Sequence, residues 1–320
     1  MRWRFEDLST FLTVVEAGGF SAAARKLNLS KSMVSKRVSD LEADLGVRLL
    51  QRSTRAVRTT PEGEALIERV SPLVREMGEG IEQVAGAHGA LTGRLRIAVP
   101  MSFGTMYLAP ILASLAAAHP ELELAIDLDD RMTDLVRGGY DAAIRIGTLP
   151  DSSLIARKLC DVARLVVCSP AYKKARGLPT GIDDLHRHAC IDYANAHTSL
   201  LWQFAPAKPG GRTRSVQLSS RIVANNGEMM RDMAIAGLGL ATLPLFICAE
   251  ALKDGRLIEA MPGIRPPDAQ IHVVYAQSKK PPAKVRAFVD HMVAAFADGP
   301  LWQDPAKAVK MGSKTKHTRT

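Results

Sequence analysis

The chain has 320 residues and a net charge of +9; 47% of its residues are hydrophobic and 23% are charged. This length and composition predict two or three globular domains with sizeable cores, and the basic charge favours a polyanionic partner. The sequence shows no uninterrupted apolar run of about eighteen residues and no signal-peptide pattern, so it argues against a membrane span and export, and we expect a cytoplasmic protein.

The positive charge is concentrated at the N-terminus. Residues 1–60 contain eleven Lys or Arg side chains against six Asp or Glu, a balance of +5. Residues 61–90 contain two against six, a balance of −4, and the last few residues are basic again. A polyanion would therefore be attracted to the N-terminal region.

Two helices are predicted first in this basic region. The first ends at Gly18-Gly19, and its apolar face consists of Leu8, Phe11, Leu12 and Val15. Ser21 is the expected N-cap of the second, which contains the small run Ala-Ala-Ala at residues 22–24. Such small side chains let a neighbouring helix approach closely.

A third helix follows the short connection Asn28-Leu29, with Ser30 as its N-cap and Gly46 at its end. Its apolar face consists of Val34, Val38, Leu41 and Leu45. Its opposite face is polar and cationic, and consists of Lys31, Ser32, Ser35, Lys36 and Ser39. Together these features predict a helix-turn-helix, in which the second helix enters the DNA major groove. The alternative is an ordinary solvated helix face.

A basic hairpin, or wing, is predicted after the third helix. Arg52, Arg55 and Arg58 could reach phosphates or the minor groove there, although a surface hairpin that happens to be basic is the alternative. Arg37 could instead pair with Glu42 or another acid of its own helix. The predicted DNA-binding residues are Ser30, Lys31, Ser32, Ser35, Lys36, Arg37, Arg52, Ser53 and Arg55.

A long helix is predicted from Thr60-Pro61, with Thr60 as its N-cap and Pro61 at its first helical position. A helix with one apolar stripe and acidic flanks needs a partner helix, so we expect a homodimer through the same helix of a second subunit. Pro72 lies inside the stripe and should bend the helix. The stripe ends with Val84, and the expected dimer contacts are Leu66, Val70, Leu73, Met77 and Ile81.

Strands and helices alternate from Arg94 onwards. Strands are predicted at residues 95–99, 122–128, 141–146, 154–159, 165–168, 216–223 and 271–275. Helices are predicted at residues 103–118, 133–137, 227–236 and 283–296. This βαβαβ rhythm indicates a parallel sheet with helices on both faces. Residues 301–320 lack apolar periodicity and are expected to form a basic disordered tail.

In this order of parts, residues 4–297 resemble the LysR-type transcriptional regulators. The resemblance is carried by residues 11–64, in which AARKL, Val34-Ser35, and LEADLGVRLL followed by Arg52 are specific together. The later segments GRLRIAVP, GYDAAIRIG and AIAGLGLATLP are each similar to counterparts in the effector domains of the family.

The resemblance implies an α/β protein with an N-terminal α-helical winged helix-turn-helix at residues 1–60 and a linker helix with a hinge at residues 61–90. It implies a two-lobed effector domain at residues 91–300, like periplasmic binding proteins. Lobe 1 would comprise residues 91–165 and 270–300, and lobe 2 residues 166–269. The implied function is a sequence-specific regulator, dimeric and often tetrameric, that acts on the nucleoid and can contact RNA polymerase. A small molecule bound between the lobes would change DNA bending and transcription.

The chain departs from the family pattern at three positions. Lys31 stands where recognition helices of the family usually carry Gln, so a base contact there could become a phosphate contact. Leu50 replaces a more usual Phe, which should alter only packing. Pro72 is unusual in the linker helix, and its effect on the geometry of that helix is left open.

A ligand cleft is expected where the parallel strands end. The strand at residues 95–99 runs into a helix start, which presents free N–H groups. An organic anion or an aromatic acid would suit a cleft that is partly apolar and partly cationic. Alternatives are helix capping for Ser102, and core packing or a surface ion pair for Trp202 and Arg131. The predicted effector-binding residues are Pro100, Met101, Ser102, Phe103, Arg131, Ile146, Gly147, Trp202, Asn225 and Asn226.

The motifs of hydrolases, metalloproteases, P-loop proteins and dinucleotide-binding enzymes are missing from the sequence, so neither catalysis nor a cofactor or metal is expected. A thiol redox sensor is one alternative, although Cys160 and Cys168 lie in or beside apolar strands, where Cys usually packs as a small hydrophobe. The irregular spacing of the four cysteines indicates a reduced protein. A solute-binding module without gene control is another alternative, but it leaves the N-terminal third unexplained.

Overall fold

The chain folds as two units, residues 1–88 and 89–320. The computed structural model describes residues 3–52, 57–85, 91–131, 134–135, 138–149, 153–195, 201–205, 212–218, 220–278 and 281–303. Within these residues the first unit contains four helices and a hairpin, and the second contains two five-stranded sheets and a two-stranded one.

Three helices enclose the core of the first unit. They are α1 (Phe5–Glu16), α2 (Phe20–Lys26) and α3 (Lys31–Leu45). The side chains buried between them include Phe11, Val14, Ala23, Val34, Val38 and Leu41. Full burial of one large apolar side chain stabilises the fold by about 1.5–3 kcal/mol. Two predictions are corrected here: Gly19 and not Ser21 is the N-cap of α2, and Leu45 is exposed.

The ends of α3 follow local signals in the sequence. The Ser30 Oγ accepts a hydrogen bond from the Met33 N–H at 3.1 Å, which satisfies one of the free donors of the first turn. Gly46 ends the helix with φ +71°, a conformation that favours glycine. Asn28 has φ +52° in the turn between α2 and α3, which Asn tolerates better than most residues.

The wing is a short antiparallel hairpin of β1 (Leu50–Arg52) and β2 (Val57–Thr59). Leu49 and Leu50 are buried in the core of the first unit, so the hairpin is fixed to the three helices by its first residues. The strands are shorter than the predicted ones, because residues 47–49 are not part of the ladder.

The helix α4 (Pro61–Ala85) begins where the sequence predicts it. The Thr60 Oγ1 accepts a hydrogen bond from the Gly63 N–H at 3.0 Å and caps the helix. Gly63 packs so closely on Leu49 that an added Cβ would overlap the Leu49 carbonyl oxygen. α4 runs through Pro72 as one helix, and the bend expected there stays a prediction.

The apolar stripe of α4 has two different environments. Leu66 and Val70 are half-buried against the core of their own unit. Leu73 and Met77 remain 58% and 55% exposed. The first two residues of the stripe thus pack partly within their own unit, and the prediction that the stripe forms a dimer face stays a prediction. The side chain of Ile81 lies outside the described residues.

Lobe 1 of the second unit is a mixed sheet with strand order β4-β3-β5-β14-β6. Its strands are β3 (Gly93–Val99), β4 (Leu122–Leu128), β5 (Ala142–Ile146), β6 (Leu154–Val162) and β14 (Ala269–Ala276). Its helices are α5 (Met101–Phe103), a π-helical turn (Gly104–Leu108), α6 (Ala109–Ala118) and α10 (Ala283–Ala295). β3 pairs parallel with β4 and β5, as the βαβ rhythm predicts, whereas β14 is antiparallel to its neighbours.

Lobe 2 is a second mixed sheet with strand order β11-β8-β12-β7-β13. Its strands are β7 (Arg164–Cys168), β8 (Cys190–Tyr193), β11 (Ser220–Ala224), β12 (Leu240–Pro244) and β13 (Ile258–Glu259). The helices α7 (Pro170–Arg176), α8 (Gly227–Ile235) and α9 (Leu245–Lys253) and the hairpin β9 (Leu201–Phe204) with β10 (Arg214–Gln217) cover it. The single strand predicted at residues 216–223 is wrong, because β10 and β11 belong to different sheets.

Within the described residues, the chain crosses between the two lobes twice. The first crossing is at Ala163, between β6 and β7, and its carbonyl accepts a hydrogen bond from the Leu245 N–H at 2.8 Å. The second is at residues 260–268, between β13 and β14. The predicted lobe boundary after residue 165 is corrected by two residues, since β7 already begins at Arg164.

The described chain ends with a short 3-10 turn, Leu301–Gln303. Leu301 and Trp302 are buried, and the Trp302 ring lies 5.6 Å from the Phe246 ring and 5.8 Å from the Tyr107 ring, centroid to centroid. The predicted disordered tail from residue 301 is therefore corrected, because residues 301–303 belong to the fold.

Residues 101–118 form a helical segment whose mean hydropathy of 1.4 over 18 residues would by length and composition suffice to cross a membrane. Leu108, Ile111 and Leu115 of this segment are buried in the core of lobe 1. Core packing therefore accounts for its apolar composition.

Candidate DNA interface and effector site

The outer face of α3 is the candidate DNA interface. Lys31, Ser32 and Lys36 are exposed on it, and Ser35 is half-buried. Ser30 is occupied as the N-cap, and its hydroxyl also lies 2.9 Å from that of Ser32. The lysine and serine side chains on this accessible face can donate hydrogen bonds to phosphates or to base edges.

Arg37 has a contact that the sequence does not indicate. It is half-buried, and its Nη1 donates a hydrogen bond to the Thr10 Oγ1 of α1 at 3.5 Å. This contact differs both from the predicted contact with DNA and from the alternative ion pair with Glu42. Arg37 links α3 to α1 and helps to position the interface.

Glu42 is absent from the predicted site residues, and it fixes the wing to α3. It is 6% exposed, and its Oε1 accepts hydrogen bonds from the N–H groups of Leu49 at 2.8 Å and Leu50 at 3.1 Å. Arg48 lies 3.6 Å from its Oε2. A signal does exist in the sequence, because residue 42 falls at helical spacing from the buried Val34 and Val38 and yet carries a charge.

The wing itself is described only in part. Arg52 is the last residue of β1, and its side chain is outside the described residues, as are Ser53 and Arg55. The predicted wing contacts to DNA therefore stay predictions. Arg58, in β2, is exposed.

A cavity of about 410 Å³ lies between the two lobes of the second unit. Its walls come from the carboxyl ends of β3, β4, β5, β8 and β12, the position at which open α/β sheets bind ligands. The apolar part of the wall includes Phe103, Ile144, Ile146, Met230, Leu243, Phe246 and Ile247. Its volume suits a small organic molecule.

Six of the predicted effector residues line this cavity: Pro100, Ser102, Phe103, Arg131, Ile146 and Gly147. Asn226 lies beside it, because its Nδ2 is 3.5 Å from the Ser102 Oγ and 3.4 Å from the Met101 Sδ. Its Oδ1 also accepts the Met229 N–H at 2.8 Å and so caps α8. Asn225 is exposed and is not part of the cavity wall.

The prediction that Trp202 lines the cleft is wrong. Trp202 is 6% exposed and lies in a separate core of lobe 2, where its Nε1 donates a hydrogen bond to the Asp192 Oδ1 at 3.2 Å. The core-packing alternative is correct for this residue. The strand β9 places the ring on the far side of the lobe 2 sheet from α8 and α9.

Arg131 reaches the cavity wall but is not a free cation. Its Nε donates to both carboxylate oxygens of Asp129, at 3.1 and 2.9 Å, and its Nη2 donates to Oδ2 at 2.7 Å. The hydrogen bonds from Arg131 lower the pKa of the Asp129 carboxyl. Because the Arg131 side chain is 79% exposed, the pair is the surface ion pair that the sequence leaves open as the alternative.

Asp130 of lobe 1 and Tyr193 of lobe 2 face each other across the cavity. Asp130 follows β4 and accepts the Met101 N–H at 2.7 Å, and Tyr193, at the end of β8, is close enough for the two side chains to affect each other's pKa. Burial raises the pKa of both side chains. No sequence pattern signals this pair, because its members are brought together only by the two sheets.

Arg164 and Thr242 also line the cavity and are not among the predicted residues. Burial lowers the pKa of Arg164, and no acidic side chain pairs with it among the described residues. The Thr242 Oγ1 is buried and has no hydrogen-bond partner within the described part of the chain. Nor does that part hold a cluster of three metal-ligating side chains.

Two family models match the chain. The model of the bacterial regulatory helix-turn-helix protein, lysR family, matches residues 5–64, and that of the LysR substrate binding domain matches residues 88–297. The chain belongs to the LysR family of transcriptional regulators. Members of this family bind DNA and carry an effector-binding domain, and they are regulators and not enzymes.

Individual LysR-family proteins match over most of their length. An uncharacterised HTH-type transcriptional regulator of Haemophilus influenzae is 37% identical over 282 residues, 88% of this chain and 97% of that protein. The HTH-type transcriptional regulator PtxR of Pseudomonas aeruginosa is 34% identical over 287 residues, 89% and 90% of the two chains. The full-length structure of the Vibrio cholerae virulence activator AphB aligns with a TM-score of 0.61 at 27% identity, over 91% of this chain and 99% of that one.

The cysteines of this LysR-family regulator do not favour the thiol-sensor alternative. Cys160, Cys168, Cys190 and Cys248 are all buried. Burial raises the pKa of Cys168 to about 11 and that of the other three thiols to about 12. Thiolate is the reactive form, so these thiols have the character of apolar packing groups.

Glu42 gives a direct test of how the LysR-family winged domain is held together. Glu42→Ala should leave the buried N–H groups of Leu49 and Leu50 without an acceptor, at a cost of about 1–3 kcal/mol for each. Urea unfolding should show the destabilisation, and gel-shift titration should show weaker DNA binding because the wing is displaced. Asp44→Ala, an exposed acid of the same helix, is the control and should change stability by less than about 0.5 kcal/mol. Equal effects of the two substitutions would contradict the proposed link.

Proposed function

We propose that a small-molecule effector, bound in the cavity between the lobes, controls how this regulator bends DNA and acts at its promoters. The observation that carries the proposal is the cavity itself, which is walled by the carboxyl ends of strands from both lobes. A ligand in this position touches both lobes at once. It can therefore favour one arrangement of the lobes over another, and only such a difference in affinity shifts the regulatory equilibrium.

We propose an organic anion or an aromatic acid as the effector. The apolar wall suits a hydrocarbon or aromatic body, and arginine side chains at the cavity supply positive charge. The approach of Asp130 and Tyr193 from opposite lobes supports control of lobe closure, since a ligand that enters beside them can draw these side chains together or separate them.

The cavity can be tested without knowledge of the effector. Thr148 is exposed at the cavity wall, so Thr148→Trp should fill the entrance while leaving the cores intact. A compound that binds the wild-type protein should stabilise it by about 2.7 kcal/mol at a hundredfold excess over Kd, and the variant should lose this stabilisation. Thermal shift measures both. Lys253→Trp, at an exposed position of α9 that does not line the cavity, is the control. A shift that survives in Thr148→Trp would place the effector elsewhere.

We further propose that DNA is bound by Lys31, Ser32, Ser35 and Lys36 of α3, with the wing residues Arg52, Ser53 and Arg55 beside them. The exposed cationic face of α3 and the N-terminal charge balance support this. Lys31, which is exposed at the start of α3, would contribute a phosphate contact.

Removal of the two lysines tests this placement. In Lys31→Ala/Lys36→Ala, specific binding should weaken, and the slope of log K against log salt should fall by about 0.9 for each phosphate that the protein no longer neutralises. Gel-shift titrations at several salt concentrations measure it, and the unfolding transition should not move because both side chains are exposed. The control is Lys173→Ala/Lys174→Ala, which removes the same charge from exposed positions of the effector domain. An unchanged slope in the α3 variant would refute the placement.

We also propose that the protein forms a homodimer through the exposed part of the α4 stripe, and that the effector domains join dimers into tetramers. We propose that it acts in the cytoplasm, on the nucleoid, and contacts RNA polymerase. Leu73 and Met77 support the dimer, because two neighbouring large apolar side chains that are more than half exposed require cover.

The dimer proposal predicts a change of mass. Leu73→Lys/Met77→Lys would bury like charges across a symmetric seam, so light scattering should show dissociation of the dimer or a broken tetramer. Leu238→Lys/Val293→Lys replaces two exposed apolar residues of the effector domain and serves as the control for added charge. If the α4 variant keeps the wild-type mass, the stripe is covered within the chain.

A further inference from the structure

One large apolar side chain is exposed among the polar residues at the start of α3. Met33 is 44% exposed, and it is the third residue of this helix. Within the described residues, the apolar core of the first unit does not include it. Its backbone N–H is bound by the Ser30 hydroxyl at 3.1 Å, so the first turn that carries the side chain is fixed. The packing of the first unit thus leaves the thioether end of Met33 accessible to another molecule.

The position of Met33 on α3 places it at the end of the helix that faces DNA. In a helix-turn-helix the N-terminal residues of the second helix contact the base edges. Met33 lies in that first turn with the exposed Lys31 and Ser32, and Lys36 is its neighbour on the helix surface because the two are three residues apart. About two turns further along the same side, Asp40 is exposed, and DNA phosphates would repel its carboxylate. The DNA-facing part of this side of α3 is therefore the N-terminal part.

A methionine side chain has one matching group among the base edges of the major groove. The four base pairs present hydrogen-bond donors and acceptors there, and only thymine adds an apolar group, its C5-methyl. The methionine thioether has no N–H or O–H to donate, and its flexible, polarisable end packs well against apolar groups. At any other base the same side chain would cover donors or acceptors without bonding them, which costs free energy.

We propose that Met33 recognises thymine in the DNA target, by contact of its thioether end with the C5-methyl group in the major groove. The inference rests on the proposed placement of α3 on DNA and adds to it a residue that determines sequence preference. The exposed Lys31 and Lys36 supply contacts to phosphates, which carry no sequence information. Met33 supplies discrimination between bases.

The test uses duplexes that the full-length protein selects from a random library, in which each thymine is replaced in turn by deoxyuridine. This replacement removes only the C5-methyl group and keeps the base pair and the O4 acceptor. Gel-shift titrations of the wild type should show binding weakened about fourfold for each contacted methyl group that is removed. Met33→Ala should bind the thymine duplex more weakly by a similar factor and should not distinguish it from the deoxyuridine duplex. Met33→Leu keeps an apolar side chain of similar volume and should retain the discrimination.

Leu45→Ala is the matched control for these titrations. Leu45 is also an exposed apolar residue of α3, with 39% of its surface exposed, but it is the last residue of the helix. It lies about 18 Å from Met33 along the helix axis, so its replacement should leave the deoxyuridine effect unchanged. Met33→Ala should unfold at the same urea concentration as the wild type, because the side chain is exposed and alanine favours a helix.

Two outcomes would overturn the inference and keep the proposed DNA interface. In the first, the wild type binds thymine and deoxyuridine duplexes equally, while Lys31→Ala/Lys36→Ala lowers the salt slope. In the second, that double variant again lowers the slope, but Met33→Ala retains the full deoxyuridine effect, which would then arise from the shape of the duplex. If the lysine variant keeps the wild-type slope and Met33→Ala binds as the wild type does, α3 does not face DNA, and the inference and the interface fail together.

Discussion

The effector domain depends on the two crossings of the chain between its lobes. The sheet of lobe 1 is completed by β14, which follows every strand of lobe 2 in sequence and lies between β5 and β6. Lobe 1 therefore cannot close its sheet before the chain has passed through lobe 2 and returned. The same connections bring the carboxyl ends of β3, β5, β8 and β12 to face one another. The cavity between the lobes, its apolar wall and the position of Arg164 beside the hinge all follow from this one constraint.

The winged domain can be predicted from sequence because its signals are local. The Ser30 cap, the Gly46 end and the Val34, Val38 and Leu41 face each lie within a few residues of the helix they define. Such signals state where a helix begins, ends and packs without reference to distant parts of the chain. The Glu42 contact to the wing is almost as local, since the residues it binds lie seven and eight positions away. The Glu42 contact is nevertheless not predicted from the sequence, because a charged residue at a core-facing position does not indicate which groups it binds.

The effector site is predictable in its location but not in its polar residues. The alternation of strands and helices is enough to place Pro100, Ser102 and Gly147 at strand ends, where the cavity is. The position of Trp202 is set by the β9–β10 hairpin and by the hydrogen bond to Asp192, ten residues earlier. Strand propensity predicts neither the packing of this hairpin nor that hydrogen bond. The split of residues 216–223 between two sheets has the same cause. Pairing over long distances decides such features, and one sequence does not encode it in any short pattern.

Glu42 and Lys284 show how this fold accommodates a buried charge. Glu42 accepts two backbone N–H groups, and Lys284 donates to the Arg94 carbonyl at 2.7 Å while lying 3.4 Å from Asp141. These charges have their partners within the chain and act in the assembly of the fold. Arg164 differs in that it is only half-buried at the cavity wall, and no acidic side chain pairs with it among the described residues. Because part of the Arg164 side chain stays accessible to solvent, water can solvate its guanidinium, and the fold tolerates this charge without an ion pair.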